Sequence, residues 1–543
     1  MKHYSGKSVY PGIAFGPVFV YKKNLHVIDD TPAEDVHLEW ERFESAKRLA
    51  DAELERLFQK AINEVGKNEA EIIDVERMIL EDGDFVDMVK TQILDLSYSA
   101  AYAVSKAGSH FSQMFAALDD PYMNARAPDI SDAAQRVIQH LTDRQDNLTL
   151  GEPSIIIADD LSPSETLQLD RSMVRALILR HGSANSHTAI LARTLRIPTL
   201  IQADIPLSAN FNSLPAAVDA HNGIIYLEPD EDVIRKLDLS CENDKREKER
   251  LQSFFGLPTV TLDGQEISLF SNINGPQDLE LVLENDAEGI GVYRSEFLFL
   301  AKDDFPGEDE QFEAYRAVAD GMKGRPVTIR TLDIGADKNI RYFGLTPEEN
   351  PALGLRAVRI YFERPDVFKT QLRAIYRASA FGNVSAMFPM ISSLWELKRC
   401  KEAAAQVREE LALEGIAHVN IPLGIMVETP AAALIADELA LEADFFSVGT
   451  NDLIQYTLAA DRQNEKLEPF FDKYHPAVLK LLKMIVESAS RAGIEAGVCG
   501  ELAADPDFIE IIIQMGYMRL SVSPGFVLKT REKIRGLNAG RKR

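Results

Sequence analysis

From residue 258 onward, short runs rich in β-branched and aromatic residues recur, and each gives way to a helical stretch: ISLFSNIN, VTIRTLD, VSAMFPM, LGIMVE, DFFSVG, EAGVCG and MRLSVS. Strands separated by helices cannot pair as tight hairpins. They need parallel neighbours reached through crossovers, which buries both faces of the sheet. Repeated across residues 258–543, the pattern predicts a (β/α)8 barrel, with chemistry expected at the C-terminal ends of its strands.

The first half of the chain is organised differently. Residues 8–20 (SVYPGIAFGPVFV) are short runs punctuated by Gly and Pro and read as strands; strand-like runs resume at 153–158, 174–179, 197–201 and 222–229. Between them Val36, Trp40, Phe43, Ala46, Ala50, Leu54, Leu57 and Ala61 step by threes and fours, the period of an amphipathic helix. The expected fold class is therefore multidomain α/β. A small α/β domain (1–24 and 146–230) carries an inserted helical subdomain (25–145). A charged helical linker (231–257) then leads into the barrel (258–543).

Composition narrows the function. The formal net charge of −26 disfavours nucleic acid and favours a basic partner. Between residues 31 and 90, 17 Asp and Glu stand against 8 Lys and Arg. We read most of these as a solvated helical face, the alternative being a docking surface for a basic protein. No apolar run is long enough to suggest a membrane span. The 3 cysteines, Cys241, Cys400 and Cys499, are odd in number and far apart, which argues against a disulfide framework and fits a reducing cytoplasm.

Two constellations carry chemistry. In HGSANSHTAILARTLRIPTL an apolar strand leads into a helix expected to begin at about Thr188, so His187 stands where free N–H groups and the helix dipole favour an anion. A neutral imidazole is nucleophilic near pH 7, and Ser186 and Thr188 add hydroxyl donors. Arg193 is close to two helical turns further on and is not assumed to reach the same anion.

The second constellation lies at the expected strand ends: Arg294, Arg330, Arg356, Glu428, Asn451, Asp452, Arg462 and Cys499. Several guanidinium forks suit a small substrate bearing phosphate and carboxylate. Glu428 and Asp452, from different strands, suit Mg²⁺, which keeps substrate oxygens and waters as its other ligands. The thiol of Cys499, with a reference pKa near 8.5, is a proton donor at pH 7.

The segments YRSEFLFL, IRTLDIGADK, NPALGLRAVRI, GIMVETPAAA and FFSVGTNDLIQYTLAADRQN, with the histidine loop, closely resemble Enzyme I of the bacterial phosphoenolpyruvate:sugar phosphotransferase system. The likeness covers nearly the whole chain in the same order. It implies phosphoenolpyruvate-dependent phosphorylation of His187, and then transfer to a histidine of the carrier protein HPr. It further implies substrate contacts at Arg294, Arg330, Asn451, Asp452 and Arg462, Mg²⁺ at Glu428 and Asp452, protonation by Cys499, HPr binding on the helical subdomain, and a homodimer formed through the barrel. Three features depart from the family pattern: Ser183 replaces the second glycine of the histidine loop, Glu76 replaces a histidine ahead of Glu81-Asp82, and a basic tail follows a final helix expected to be short.

Two other readings are weighed. Pyruvate,phosphate dikinase and phosphoenolpyruvate synthase phosphorylate a similar histidine but need a nucleotide-binding domain ahead of it, and no G-x-x-x-x-G-K-[ST] loop occurs here. A phosphoenolpyruvate-sensing regulator is disfavoured by the intact His187, Glu428, Asp452 and Cys499. Because His187 and the barrel mouth must meet and separate, a hinge is expected near 231–260.

Overall fold

A computed structural model describes residues 2–22, 28, 30, 32–64, 67–117, 121–142, 150–182, 187–300, 304–335, 341–346, 348–462 and 464–540. The chain divides into two compact units, Met1–Lys245 and Arg246–Arg543.

The first unit is built on strands β1 (Lys2–Ser5), β2 (Lys7–Tyr10), β3 (Ile13–Val20), β4 (Ser154–Ala158), β5 (Val174–Leu179), β6 (Thr199–Ile201), β7 (Pro215–Asp219) and β8 (Ile224–Leu227). They form one 8-stranded sheet in the order β1-β8-β7-β3-β4-β5-β6-β2. From β3 to β6 the neighbours are parallel; β7, β8, β1 and β2 are antiparallel to theirs.

The alternation of side chains along a strand decides which face packs on what. Every residue of β4 is buried, as expected of a central strand. Ile155 and Ile157 join Ala176, Ile178 and Val218 in one cluster. Ile156 and Ala158 face the other way and join Phe43, Ala50, Leu54, Ile73 and Val89. That second cluster ties the sheet to helices α1 (Val36–Glu64), α2 (Lys67–Glu81), α3 (Gly83–Leu94), α4 (Ala100–Ala116) and α5 (Pro121–Thr142), which run between β3 and β4. The stripe read from the sequence is the face that packs: Phe43, Ala46, Ala50, Leu54, Leu57 and Ala61 are buried. Asp82 caps α3 by accepting the N–H groups of Asp84 and Phe85. Two further helices matter to the site, α6 (Pro163–Gln168) and α7 (His187–Thr194). Helix α8 (Glu231–Gln252) runs across the division between the units.

The second unit is a closed barrel of parallel strands: β9 (Ser268–Ile273), β10 (Ile290–Arg294), β11 (Val327–Arg330), β12 (Val384–Phe388), β13 (Leu423–Val427), β14 (Phe445–Gly449), β15 (Glu495–Cys499) and β16 (Arg519–Val522). Strand-like runs are legible in the sequence for all of these but β10, whose last residue is the expected site residue Arg294. Inside the barrel Val292, Met387, Met426, Phe445 and Cys499 meet, one from each of five strands. After β16 comes a short helix, Val527–Arg535. Among the described residues no helix is long and apolar enough to cross a membrane.

Candidate active site

A cavity of about 1090 Å³ opens at the C-terminal ends of the barrel strands, and all eight barrel residues chosen from the sequence line it. The fold explains why. Arg294, Arg330 and Cys499 are the last residues of β10, β11 and β15, and Glu428 follows β13 directly. Asn451 and Asp452 lie in the first turn of the helix Thr450–Leu458 that follows β14. Arg356 lies beyond β11, held by an isolated bridge to Gly335. Arg462 is exposed at the rim, its backbone N–H donated to Gln455 Oε1 at 3.2 Å.

Three further groups, not singled out from the sequence, fix the arginines. Asp333 accepts from Arg356 at 2.8 Å through one oxygen and pairs with Arg330 at 2.9 Å through the other. Glu296 pairs with the opposite edge of Arg330. Tyr456 accepts from Arg356 Nη1 at 3.0 Å. Asp333 and Glu296 stand in the quoted segments IRTLDIGADK and YRSEFLFL, three residues after Arg330 and two after Arg294. Their spacing was the available signal. Burial by itself would depress the Arg330 and Arg356 guanidinium pKa values, but the surrounding carboxylates outweigh it and hold both above the ordinary value. Both forks therefore stay charged.

Glu428 is 1% exposed and accepts the Met390 N–H at 2.6 Å. A Cβ at Gly449 would lie 2.7 Å from its second oxygen, so only glycine leaves the carboxylate its space. Burial, and then the like charges of Asp452 and Asp333, push its pKa well above the ordinary carboxylate range, against the pull of Arg330 and Arg356. Two neighbouring carboxylates of like charge are a donor set that a divalent cation fits, because it relieves their repulsion. No group of three or more His, Cys, Asp or Glu suited to a metal occurs among the described residues. A cation here would take its remaining ligands from substrate and water, the habit of Mg²⁺.

Cys499 is 4% exposed at the cavity floor. Ser447 Oγ donates to its sulfur at 3.3 Å, and the thiol reaches the Val448 carbonyl at 3.3 Å. Burial pushes its pKa up to about 11, the Ser447 hydroxyl pulling the other way. The thiol holds its proton at neutral pH.

In the first unit α7 begins at His187 itself, one residue before the position expected from the sequence. Ser183, Ser186 and the His187 side chain lie outside the described residues. The Thr188 hydroxyl, buried, donates to the Leu161 carbonyl at 2.6 Å and seats the first turn of α7 on the start of α6. Arg193 lies in the last turn of α7. Glu76 is buried within the helical insertion, and burial lifts its pKa to about 8 despite the nearby Arg136.

Family models described as PEP-utilising enzyme match the chain in three parts: the N-terminal domain over residues 5–126, the mobile domain over 150–223 and the PEP-binding domain over 248–539. A phosphoenolpyruvate-protein phosphotransferase of Priestia megaterium is 37% identical over 540 residues, 99% of this chain and 94% of the relative. That of Bacillus subtilis (strain 168) is 37% identical over 541 residues, covering 99% and 95%. That of Enterococcus faecalis (strain ATCC 700802 / V583) is 38% identical over 544 residues, covering 98% and 94%.

Proposed function

The chain belongs to the phosphoenolpyruvate-protein phosphotransferase family, an enzyme of phosphoenolpyruvate-dependent phosphotransfer, and on that premise we propose His187 as its phosphoacceptor and HPr as the protein that receives the phosphoryl group. The observation that carries this reading is the shared cavity at the barrel mouth, lined by Arg294, Arg330, Arg356, Glu428, Asn451, Asp452, Arg462 and Cys499.

In the first half-reaction the arginines take the phosphate and carboxylate of phosphoenolpyruvate through paired N–H···O bonds. Glu428 and Asp452 would hold Mg²⁺, which when bound neutralises charge on the phosphoryl oxygens. The bond between phosphorus and the enol oxygen breaks, and a bond from phosphorus to an imidazole nitrogen of His187 forms. The departing enolate takes a proton from the Cys499 thiol at its methylene carbon, giving pyruvate; the thiolate regains a proton from solvent. In the second half-reaction the phosphoryl group passes from His187 to a histidine of HPr. Free N–H groups in the first turn of α7 stabilise the anion on His187 in the interim.

We place HPr on the helical insertion, residues 25–145, whose acidic balance suits a basic partner. The phosphohistidine domain is assigned to 1–24 and 146–230, the linker to 231–257, and phosphoenolpyruvate binding with homodimerisation to 258–543. Three dispersed cysteines suit a cytoplasmic location. The test is a pyruvate-release assay with phosphoenolpyruvate, Mg²⁺ and purified HPr. Catalytic turnover that requires HPr supports the reading. Turnover that instead requires a nucleotide would assign the chain to dikinase-like chemistry, and binding without turnover would make it a sensor.

A further inference from the structure

Helix α6 is six residues long and is gripped from two sides. On the side of the helical insertion, Arg136 of α5 donates Nη2 to Ser164 Oγ at 2.7 Å and Nη1 to Glu53 Oε1 of α1 at 2.5 Å. The same Glu53 oxygen accepts from Gln168 Nε2 at 3.0 Å, and its other oxygen meets His140 Nε2 at 3.0 Å. Lys60 of α1 donates to the Leu167 carbonyl at 2.6 Å. Towards α7, Ser164 Oγ lies 3.0 Å from Ser162 Oγ, the N-cap of α6. Leu161, the residue before that cap, accepts the Thr188 hydroxyl at 2.6 Å. A chain of short polar contacts and one peptide unit thus runs from the insertion to the residue that follows His187.

From Arg136 through Ser164, Ser162 and Leu161 to Thr188 the path is buried. Arg136 is 7% exposed, and Ser164 is fully buried. A buried guanidinium is a poor source of net stability, because desolvation cancels most of its attraction; what it secures is geometry. Its Nε stands 3.7 Å from Glu76 Oε2, and neither atom has a hydrogen-bond partner. This grip therefore carries an avoidable energetic cost, as a set of groups kept for placement would.

We propose that Arg136, acting through Ser164, is a positioning residue for His187: it seats α6 and thereby the first turn of α7, and couples the helical insertion to the phosphoacceptor. The proposal rests on His187 being that acceptor. In-line phosphoryl transfer draws its rate mainly from placement, and a misplacement of about 1 Å costs on the order of 100-fold.

The variants are Ser164→Ala, which removes one hydroxyl, and Arg136→Lys, which keeps the charge but loses the fork that spans Glu53 and Ser164. For each, and for the double variant, single-turnover labelling of the full chain by phosphoenolpyruvate and Mg²⁺ is measured. Phosphoenolpyruvate affinity, melting temperature and the ¹⁵N signals of labelled His187 are measured beside it. The expected result is a labelling rate at least tenfold lower in each single variant, with affinity unchanged and the His187 signals moved. The double variant should be no slower than the slower single one, because both lie on one path. Lowered melting temperatures with wild-type labelling rates and unmoved His187 signals would overturn the proposal and leave Arg136 as packing. The His187→Ala control separates the two readings. If it is still labelled, the phosphoacceptor assignment fails and this proposal falls with it. If it is unlabelled while both variants label at the wild-type rate, this proposal alone fails.

Discussion

Within the cavity each side chain has a task that its surroundings either permit or forbid. Cys499 has its pKa pushed up to about 11 by burial, so the thiol keeps its proton at pH 7, as the proposed donor role requires. Cys499→Ser keeps the size but offers a far weaker acid; His187 labelling should slow by roughly 10²–10⁴-fold with phosphoenolpyruvate affinity little changed. Near-normal labelling in a destabilised variant would make Cys499 core packing. Asp452 stands beside buried Glu428 and within 3.8 Å of Arg356. Asp452→Ala should strongly lower transfer and abolish the Mg²⁺ dependence of phosphoenolpyruvate binding, read by titration calorimetry at two Mg²⁺ concentrations. Persistent Mg²⁺ dependence would put the cation elsewhere. Asp333 bridges Arg330 and Arg356 through its two oxygens. Asp333→Asn keeps one acceptor and loses the charge, so both forks lose a common anchor; kcat should fall more than KM rises. An effect confined to KM would limit Asp333 to ground-state binding.

At the scale of elements, most of the fold was legible because packing follows apolar period. The α1 stripe and the isoleucine run of β4 are buried as their patterns require. Most of the site residues were legible because they stand at or just after a strand end, where closure of the barrel brings distant segments together; Arg356 and Arg462 reach the cavity from further along the chain. Asp333 and Glu296 were not, since a carboxylate a few residues beyond an arginine reads as an ordinary surface charge until the barrel turns both inward. Glu76 was legible only as an odd residue on α2; that it is buried against α5 and α6 depends on helix packing that no local pattern encodes. Its neighbours there are Arg136, Asp132 and Asp129 of α5 and Ser164 of α6. With its pKa lifted from 4.5 to about 8, the folded chain keeps a proton that the unfolded chain has lost. Its contribution to stability is therefore full below pH 4.5 and lost as pH rises to about 8, at roughly 1.4 kcal/mol per pH unit. Glu76→Gln cannot lose a proton and should remove that slope, so its advantage over wild type should grow between pH 5 and pH 8. Urea unfolding in a Trp395→Phe background, where Trp40 alone reports on the insertion, measures it. Equal slopes in both proteins would mean that Glu76 is ionised in the fold.

Across the whole molecule the proposed mechanism splits the chemistry between two units, with the helix that begins at His187 in Met1–Lys245 and the barrel cavity in Arg246–Arg543. Direct transfer needs the reacting atoms about 3–3.5 Å apart, and delivery to HPr needs them separated again. We expect the connecting stretch near 231–260 to allow that motion, so shortening α8 should slow labelling without changing phosphoenolpyruvate affinity. The central claim is that one residue, His187, carries the phosphoryl group between the two steps. Its most direct test is intact-protein mass spectrometry of wild type and His187→Ala after mixing with phosphoenolpyruvate and Mg²⁺. The account predicts one acid-labile, base-stable phosphate per wild-type chain and none on the variant, which still binds phosphoenolpyruvate. A phosphate that persists on His187→Ala, or one that survives acid, would contradict it.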